Sequence, residues 1–322
     1  MPNKHNADRR RHIPKMRFQV TNWAAYEAGL RRCGSLTLWV SDAVIAAWWA
    51  VPCTTPGGQA RYSAIAIETA VMVRLVFHQP LRQTKGLLGS LLALLGVDLP
   101  IPDHTTISRR AARRTPVLAT ALPTGPVTLV IDSTGLKVYG AGEWRRDKHG
   151  VRGLRTWRKL HLAVDAATNT IVAVTLTTTS DGDASQVGPL LDQTTGAIDT
   201  SMADGAYDGD PIYQTIAARD AGAKVVIPPR ATAVLSSAAE TAPTQRDRHI
   251  QTIAERGRLD WQRQTDYGQR AKAETATARY KRILGDHLHA RTLAGQQAEA
   301  AIGVDVLNRM SAQTRPNSVR SA

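Results

Sequence analysis

The 322-residue sequence has few of the features that mark secreted, zinc-binding or membrane proteins. Its two cysteines, Cys33 and Cys53, are too few for a disulfide framework and lack the CxxC spacing of a zinc site. The longest apolar stretches, 44–51 and 87–99, are shorter than the roughly 20 residues that a membrane span requires. No apolar segment follows the basic N-terminus, so a signal peptide is not expected. We therefore expect a cytoplasmic protein in a reducing compartment.

Basic residues outnumber acidic ones along the chain. Lys and Arg total 41 and Asp and Glu total 27, which gives a formal net charge of +14 and a pI near 10.3. Such an excess would mainly repel itself unless it met a polyanion, so nucleic acid is the first expected partner. An anionic membrane surface is a weaker second candidate. Residues 1–17, with six basic residues and the single acid Asp8, are typical of a flexible basic arm.

The sequence from residue 23 to about residue 114 has a helical pattern. LRQTKGLLGSLLALLG (81–96) predicts one amphipathic helix and DHTTISRRAARR (103–114) a second, for which Asp103, Thr105 or Thr106 is a possible N-cap. Two helices joined by a short turn, with Arg109 and Arg110 near the end of the second, are typical of a DNA-gripping helix-turn-helix. A helical bundle with a solvated basic face is the alternative. PTGP (123–126) predicts a linker, so residues 1–125 and 126–322 are expected to form two domains.

The second part of the chain alternates between strand and helix patterns. VTLVIDST (127–134), TWRKLHLAVD (156–165) and TIVAVTLTTT (170–179) predict three successive strands, the last two forming a hairpin. Alternating helices and short strands follow up to AKVVIP (223–228). This order predicts an α/β fold, a mixed sheet flanked by helices. The polar stretch 230–262 is expected to be an insertion or a disordered loop.

Two acidic residues lie at predicted strand ends, Asp132 and Asp204. Carboxylates that emerge from neighbouring strands of an α/β sheet share one crevice, and a helix packed across that edge could add Glu274. Without a cation, such carboxylates would repel by roughly 4 kcal/mol per pair at 4 Å and an effective dielectric of 20. Oxygen-only ligands favour Mg²⁺ or Mn²⁺ over zinc. Two such ions about 4 Å apart can support phosphoryl transfer.

YGQRAKAETATARYK (267–281) predicts a helix with a distinctive polar strip. At about 100° per residue, Tyr267, Arg270, Glu274 and Lys281 fall within an arc of roughly 60°. A phenol, two bases and one acid on one face suit the handling of phosphate beside a metal. An ordinary solvated helix face can show the same pattern by accident.

IDSTGLKVYG (131–140), MADGAYDG (202–209) and the Y-(2)-R-(3)-E-(6)-K spacing together resemble the DDE transposases of bacterial insertion sequences. The resemblance extends to TWRKLHLAVD and VLNRM (306–310), and is closest to the group typified by insertion sequence five. It implies a ribonuclease H-like catalytic domain behind a helical DNA-end-binding domain. It also implies site residues: Asp132, Asp204 and Glu274 as catalytic metal ligands, and Tyr267, Arg270 and Lys281 as phosphate-binding residues.

The resemblance implies a specific reaction on DNA. Water activated at a site for Mg²⁺ (Mn²⁺ possible), with two ions expected, would nick the terminal inverted repeats of the element. The released 3′-hydroxyl would then attack target DNA directly, which needs no ATP, and the sequence has no GxxxxGK[ST] motif. A homodimer or higher assembly would bridge two ends in a synaptic complex at the bacterial nucleoid.

A basic segment, WRRDKHGVRGLRTWRK (144–159), follows the first predicted catalytic strand. With Trp144 and Trp157 it could follow a DNA backbone and stack an unpaired base. A mobile charged loop whose tryptophans serve packing is the alternative. The DNA contacts predicted here are Arg145, Arg146, Lys148, Arg152 and Arg155.

The sequence contains other acids near the predicted strand ends, and it is compatible with other functions. Asp165 is expected to form hydrogen bonds within its hairpin turn. Asp181, Asp183 and Asp208 are expected to cap helices rather than to bind metal. Two alternative functions remain open at this point. One is a metal-dependent nuclease on the same fold, and the other is a non-catalytic DNA-binding protein derived from a transposase.

Overall fold

The structure is a computed structural model that describes residues 17–54, 56–113, 125–138 and 157–321. Residues 1–16 of the predicted basic arm lie outside this range. So do five predicted DNA contacts: Arg145, Arg146, Lys148, Arg152 and Arg155.

The N-terminal part of the described chain is helical, as the apolar periodicity predicts. It contains α1 (Trp23–Cys33), α2 (Leu36–Trp39), α3 (Asp42–Ala46), α4 (Ala64–Val76), α5 (Leu81–Leu94) and α6 (His104–Ala111). Helix α4 begins at the N-cap Ser63, whose hydroxyl accepts from the Ala66 amide, and most of its side chains are buried. Among the described residues no single helix is long and apolar enough to span a membrane, although α4 and α5, bent by 105°, pass that test as a pair.

The connection between α5 and α6 is longer than the short turn that the sequence predicts. It runs from residue 95 to residue 103, and two prolines keep part of it extended. The indole of Trp48 is fully buried and donates to the Pro100 carbonyl at 2.8 Å, which fixes the connection to the helical core. Asp103 caps α6 by accepting from the amides of Thr105 and Thr106.

The central sheet lies in the second part of the chain. Its strands are β2 (Val127–Val138), β3 (Trp157–Asp165), β4 (Ile171–Thr178), β5 (Ile198–Met202) and β6 (Lys224–Val226), in the order β4-β3-β2-β5-β6. Strand β3 is antiparallel to β2 and β4, whereas β5 runs parallel to β2 and β6 parallel to β5. A short β7 (His287–Leu288) pairs with the end of β2. This topology confirms the predicted ribonuclease H-like mixed sheet.

Helices cover both faces of the sheet, which explains why its strands are apolar on both sides. Alternate residues such as Leu129 and Ile131 meet α7 (Val187–Asp192) and α8 (Asp210–Arg219) on one face. Side chains on the opposite face of the sheet, such as Val130 of β2 and Leu162 of β3, belong to a second core. That core includes α11 (Ala271–Leu284) and α12 (Leu293–Gln313), and α12 also contacts α1, α4 and α6. The apolar core is therefore continuous across the predicted boundary at residue 125. The final strand, β8 (Ser318–Ser321), pairs with β1 (Arg17–Val20).

The stretch 230–262 is not a disordered loop, so that alternative was wrong. It contains α9 (Gln245–Arg256) and leads into α10 (Arg258–Gln264). Helix α9 begins with a capping box between Thr244 and Asp247, which the sequence pattern TQRD contains. The buried Trp261 of α10 donates to His249, whose ring in turn contacts the Val225 carbonyl of β6. The segment is thereby fixed to the edge of the sheet.

Candidate active site

Two of the three predicted catalytic acids occupy equivalent positions on neighbouring parallel strands. Val130 of β2 pairs with Met202 of β5, so Asp132 and Asp204 each lie two residues beyond a paired position. Adjacent strands are about 4.8 Å apart, which brings the two carboxylates to the same edge of the sheet. Asp132 is half-buried within β2. Asp204 follows β5 and caps a short 3₁₀ turn by accepting from the Ala206 amide at 2.8 Å.

The third acid, Glu274, lies in the first turn of α11, which packs across β2 and β3. The buried side of this helix carries Ala273, Ala276 and Tyr280. The two alanines are small enough to let the helix backbone approach the sheet closely. Glu274 itself lies beside this buried stripe, and its side chain is 57% exposed. The structure therefore brings all three predicted acids to one edge of the sheet.

The strip that was predicted to lie on one α-helix is divided between two kinds of helix. Residues Tyr267–Arg270 form a 3₁₀ turn, and α11 begins at Ala271. The turn follows Asp266, which has a left-handed backbone (φ 50°) and separates it from α10. The continuous α-helix predicted from residue 267 was therefore wrong for its first turn. The order of the strip along the crevice is kept, since the 3₁₀ turn leads directly into α11.

Tyr267 is held beside the acids by an aromatic contact. Its ring lies 5.3 Å from the Trp261 ring, centroid to centroid, at an interplanar angle of 47°. Burial raises the pKa of the Tyr267 phenol to about 12, with the cation of Arg270 opposing and the negative charge of Asp204 adding to the rise. The phenol is therefore a neutral hydrogen-bond donor at physiological pH.

Arg270 lies among the acids and links two of them. Its guanidinium donates to the Glu274 carboxylate and lies 3.9 Å from Oδ2 of Asp204. Its Nε is buried and has no hydrogen-bond partner within the described residues. Burial opposes the charge on Arg270, but its surroundings raise its pKa overall: the Tyr267 phenol contributes most once it ionises at high pH, followed by the carboxylates of Glu274 and Asp132.

The Asp132 carboxylate is half-buried in a strongly charged setting. Burial raises its pKa above the ordinary value, Arg270 and a backbone hydrogen bond from Ser133 oppose the rise, and the negative charges of Asp204 and Glu274 add to it. The direction follows from the physical setting, since a half-buried carboxylate beside two others holds its charge only at a cost. Asp132 therefore lies within electrostatic reach of both other acids and of Arg270.

The donor chemistry of this edge fits a divalent cation. Three carboxylates supply oxygen ligands only, and a cationic group, the Arg270 guanidinium, already lies among them. Within the described residues, however, no set of three His, Cys, Asp or Glu side chains is arranged as a ready metal cluster. The acids fit Mg²⁺ or Mn²⁺ by type and by shared location, while the side chains of Glu274 and Asp204 face Arg270.

Lys281 lies in the last turn of α11, about 10 Å along the helix axis from Glu274. It is half-buried, and no side chain of the described part of the chain forms an ion pair with it. The ammonium group is thus available further along the same helix.

Sequence reasoning missed a buried ion pair next to the site. Asp208, whose side chain is 1% exposed, accepts from Arg246 Nε at 2.7 Å and from its Nη2 at 3.2 Å. Asp208 also accepts from the Arg230 amide at 2.9 Å. It was expected to cap a helix, but Gly209 is the N-cap of α8. Asp208 instead ties the turn after Asp204 to α9, and only the tertiary structure reveals its partner.

Among the other acids, Asp165 bonds within its turn as expected, but Asp181 and Asp183 do not cap the helix that follows them, because its N-cap is Gly182. Asp165 accepts from the amides of Ala167 and Thr168 in the hairpin turn. Asp181 accepts from the amide and hydroxyl of Thr178. Asp183 begins the 3₁₀ helix before α7 and also forms an ion pair with Lys159 at 3.0 Å, which local spacing did not predict.

A cleft of about 1240 Å³ separates the N-terminal helices from the start of α12. Its lining includes three arginines, Arg74, Arg109 and Arg291, and one acid, Glu299. Glu299 is 4% exposed and accepts from the amides of His289 and Ala290, so its charge faces the protein. The cleft is therefore basic. None of its described lining residues is one of the three acids.

The two arginines predicted for DNA contact on α6 have different surroundings. Arg109 is exposed and lines the cleft. Arg110 is half-buried, and its guanidinium donates to the Tyr62 carbonyl, so part of its hydrogen-bonding capacity is used within the protein.

Comparison with known proteins identifies the family. A family model described as "Transposase DDE domain" matches residues 123–308, more than half of the chain, and a second model with the same description matches residues 31–141. The two matched ranges overlap around Asp132. Neither specifies the group typified by insertion sequence five, which stays a prediction.

One solved structure is also similar, a cryo-electron-microscopy structure of a piggyBac transposase synaptic complex with hairpin DNA. The similarity has 9% sequence identity and a TM-score of 0.37, and it covers 92% of this chain and 78% of that one. A likeness of this size is too weak to support either fold or function. The family matches are sufficient: the chain belongs to the DDE transposases, enzymes of metal-dependent phosphoryl transfer on DNA.

Proposed function

We propose that this transposase binds the ends of an insertion sequence and catalyses Mg²⁺-dependent cleavage of those ends and their transfer to target DNA. The observation that carries the proposal is the convergence of Asp132, Asp204 and Glu274 at one sheet edge around the Arg270 guanidinium. The other described acids of this edge are paired with different groups: Asp181 with Thr178, Asp183 with Lys159 and Asp208 with Arg246.

Asp132, Asp204 and Glu274 would hold the metal, with two ions of Mg²⁺, or of Mn²⁺, as the expected occupants. When bound, divalent ions of this kind lower the pKa of an attacking water and neutralise charge on a leaving oxygen. The chain's part is to fix the three carboxylates on β2, on the turn after β5 and on α11, elements whose apolar side chains lie in the two cores of the sheet. Such placement keeps the reacting groups in position before DNA arrives.

Three further side chains would hold DNA phosphates. Arg270 can grip a phosphate bidentately, whereas Lys281 acts as a point charge about two helical turns beyond Glu274. Tyr267 would donate its phenolic hydrogen, since its raised pKa keeps that proton in place at neutral pH.

The N-terminal part would bind the element's terminal inverted repeats. Residues 1–125 are proposed as the end-binding domain and residues 126–322 as the catalytic domain. Arg109 faces the basic cleft and is a candidate phosphate contact there, while Arg110 is partly occupied by the Tyr62 carbonyl. The remaining contacts are proposed for the segment outside the described residues: Arg145, Arg146, Lys148, Arg152 and Arg155. A homodimer or higher assembly would bring two ends together in a synaptic complex.

A strand-transfer assay tests this function. Duplexes carrying the element's flanking ends, already cut to expose the 3′-hydroxyl, are incubated with the protein, a supercoiled plasmid and Mg²⁺. The proposal predicts end–plasmid joint molecules that disappear with EDTA and with Glu274→Gln. The matched control is Asp199→Asn, which removes an exposed carboxylate from β5, and it should form joint molecules normally. Plasmid nicking without joining would contradict transposition and would indicate a nuclease.

A further inference from the structure

Arg270 binds one carboxylate, and lies close to a second, that a divalent cation would need. Its guanidinium donates to Glu274 and lies 3.9 Å from Asp204, and the Arg270 side chain is 22% exposed against 57% for Glu274. The arginine thus lies deeper in the crevice than the glutamate that it contacts. A residue that only gripped DNA from the protein surface would not need this position.

We propose that Arg270 is the internal counter-cation of the crevice, and that divalent metal must displace it from Asp204 and Glu274 before it can grip a DNA phosphate. The proposal rests on the metal-dependent function above and adds a competition within the site. It makes Arg270 a residue with two successive partners, first the carboxylates and then the phosphate.

The competition follows from charge and from the number of available oxygens. A metal ion and a guanidinium bound to the same carboxylates would be like charges within a few ångströms of each other, and their repulsion weakens the binding of both. Arg270 cannot relieve this by losing its proton, because an arginine side chain remains charged in proteins. It can only move.

In its present position, one hydrogen-bond donor of Arg270 is also unsatisfied within the described part of the chain. Its Nε is buried without a hydrogen-bond partner among the described residues, and an unpaired buried donor is unfavourable. A phosphate can accept from Nε and a terminal nitrogen together, which satisfies that donor. The residue lies where the 3₁₀ turn meets α11, so its side chain starts from an element end rather than from the middle of a packed helix.

Displacement would couple metal binding to DNA binding. If DNA phosphate removes the guanidinium from the carboxylates, DNA tightens metal binding, and by linkage metal tightens DNA binding by the same factor. The enzyme would then load metal weakly until a DNA end is present.

Mn²⁺ titration followed by electron paramagnetic resonance tests the competition, because it counts free Mn²⁺ and needs no catalysis. The full chain is titrated as wild type, Arg270→Gln and Arg270→Lys, with Arg282→Gln as the control that removes an exposed positive charge from α11. Without DNA, Arg270→Gln should bind Mn²⁺ on the order of tenfold more tightly than wild type. Arg270→Lys should stay closer to wild type, and Arg282→Gln should change the affinity by less than about twofold.

A duplex carrying an element end completes the test. It should tighten Mn²⁺ binding to wild type and have a smaller effect on Arg270→Gln. Equal or weaker Mn²⁺ binding by Arg270→Gln in the absence of DNA would overturn the competition. If wild type and all variants show no saturable Mn²⁺ binding, with or without DNA, the proposed metal-dependent function fails as well, so the two failures are distinguishable.

Discussion

The buried ion pair between Asp208 and Arg246 allows a sharp test of how the segment 230–264 is held. Arg246→Ala removes two of the three described hydrogen bonds to a carboxylate whose side chain is 1% exposed. Loss of one partner from a buried pair leaves an uncompensated charge and typically costs about 3–5 kcal/mol. We therefore expect Arg246→Ala to lower the free energy of unfolding by about that amount, measured by urea denaturation followed by circular dichroism.

The matched control is the pair between Arg31 and Glu27, which has the same chemistry at the surface. Their side chains are 77% and 46% exposed. Arg31→Ala should change the free energy of unfolding by less than about 1 kcal/mol, because solvent screens the pair. The double variant Asp208→Asn/Arg246→Ala should recover part of the loss, since no buried charge is then left without a partner.

The pH dependence of the Arg246→Ala effect has a definite sign. Burial tends to raise the pKa of Asp208, but hydrogen bonds from Arg246 and Arg230 lower it overall. A carboxylate with a lowered folded-state pKa stabilises the fold above its unfolded pKa of about 3.9, and that contribution is lost as the pH falls through the folded value. The difference between wild type and Arg246→Ala should therefore shrink below about pH 4. A loss under 1 kcal/mol at pH 7, or a difference that grows on acidification, would refute the reasoning.

Three further outcomes follow from the structure. Gly303→Val should destabilise the fold by about 1–3 kcal/mol and reduce end cleavage, because a Cβ at this position would lie 3.0 Å from the Tyr280 hydroxyl and force α11 away from α12; unchanged urea denaturation would contradict this packing. Arg109→Ala should reduce the slope of log affinity for an end duplex against log salt by about 0.9, and an unchanged slope would exclude a phosphate contact. Tyr267→Phe keeps the ring contact with Trp261, so stability should hold while cleavage falls roughly tenfold or more; equal cleavage would remove the hydroxyl from the mechanism.

The sequence predicts the sheet and its acids well because both depend on local pattern and strand order. Apolar runs, one hairpin turn and alternating helices determine β2 to β6, and the positions of Asp132 and Asp204 relative to the strands follow from them. Glu274 could be placed only by its spacing within the resemblance to a known family.

Other features depend on tertiary contacts that local pattern does not carry. Asp208 and Arg246 are distant in sequence, and each alone is typical of a cap or a solvated residue. Helix α9 follows a low-apolar stretch, and its attachment to the sheet runs through His249 and a single buried tryptophan. The insertion of Arg270 between two acids likewise depends on how the 3₁₀ turn meets the sheet edge.

The most direct test of the account is a map of DNA cuts at the element's flanking ends, in Mg²⁺ and in EDTA. We predict nicks at the ends with Mg²⁺ only, and their loss in Asp132→Asn, Asp204→Asn and Glu274→Gln while each variant still binds the end duplex. Asp199→Asn should cut as wild type does. Wild-type cutting by any one of the three acid variants would show that these carboxylates do not form the catalytic centre.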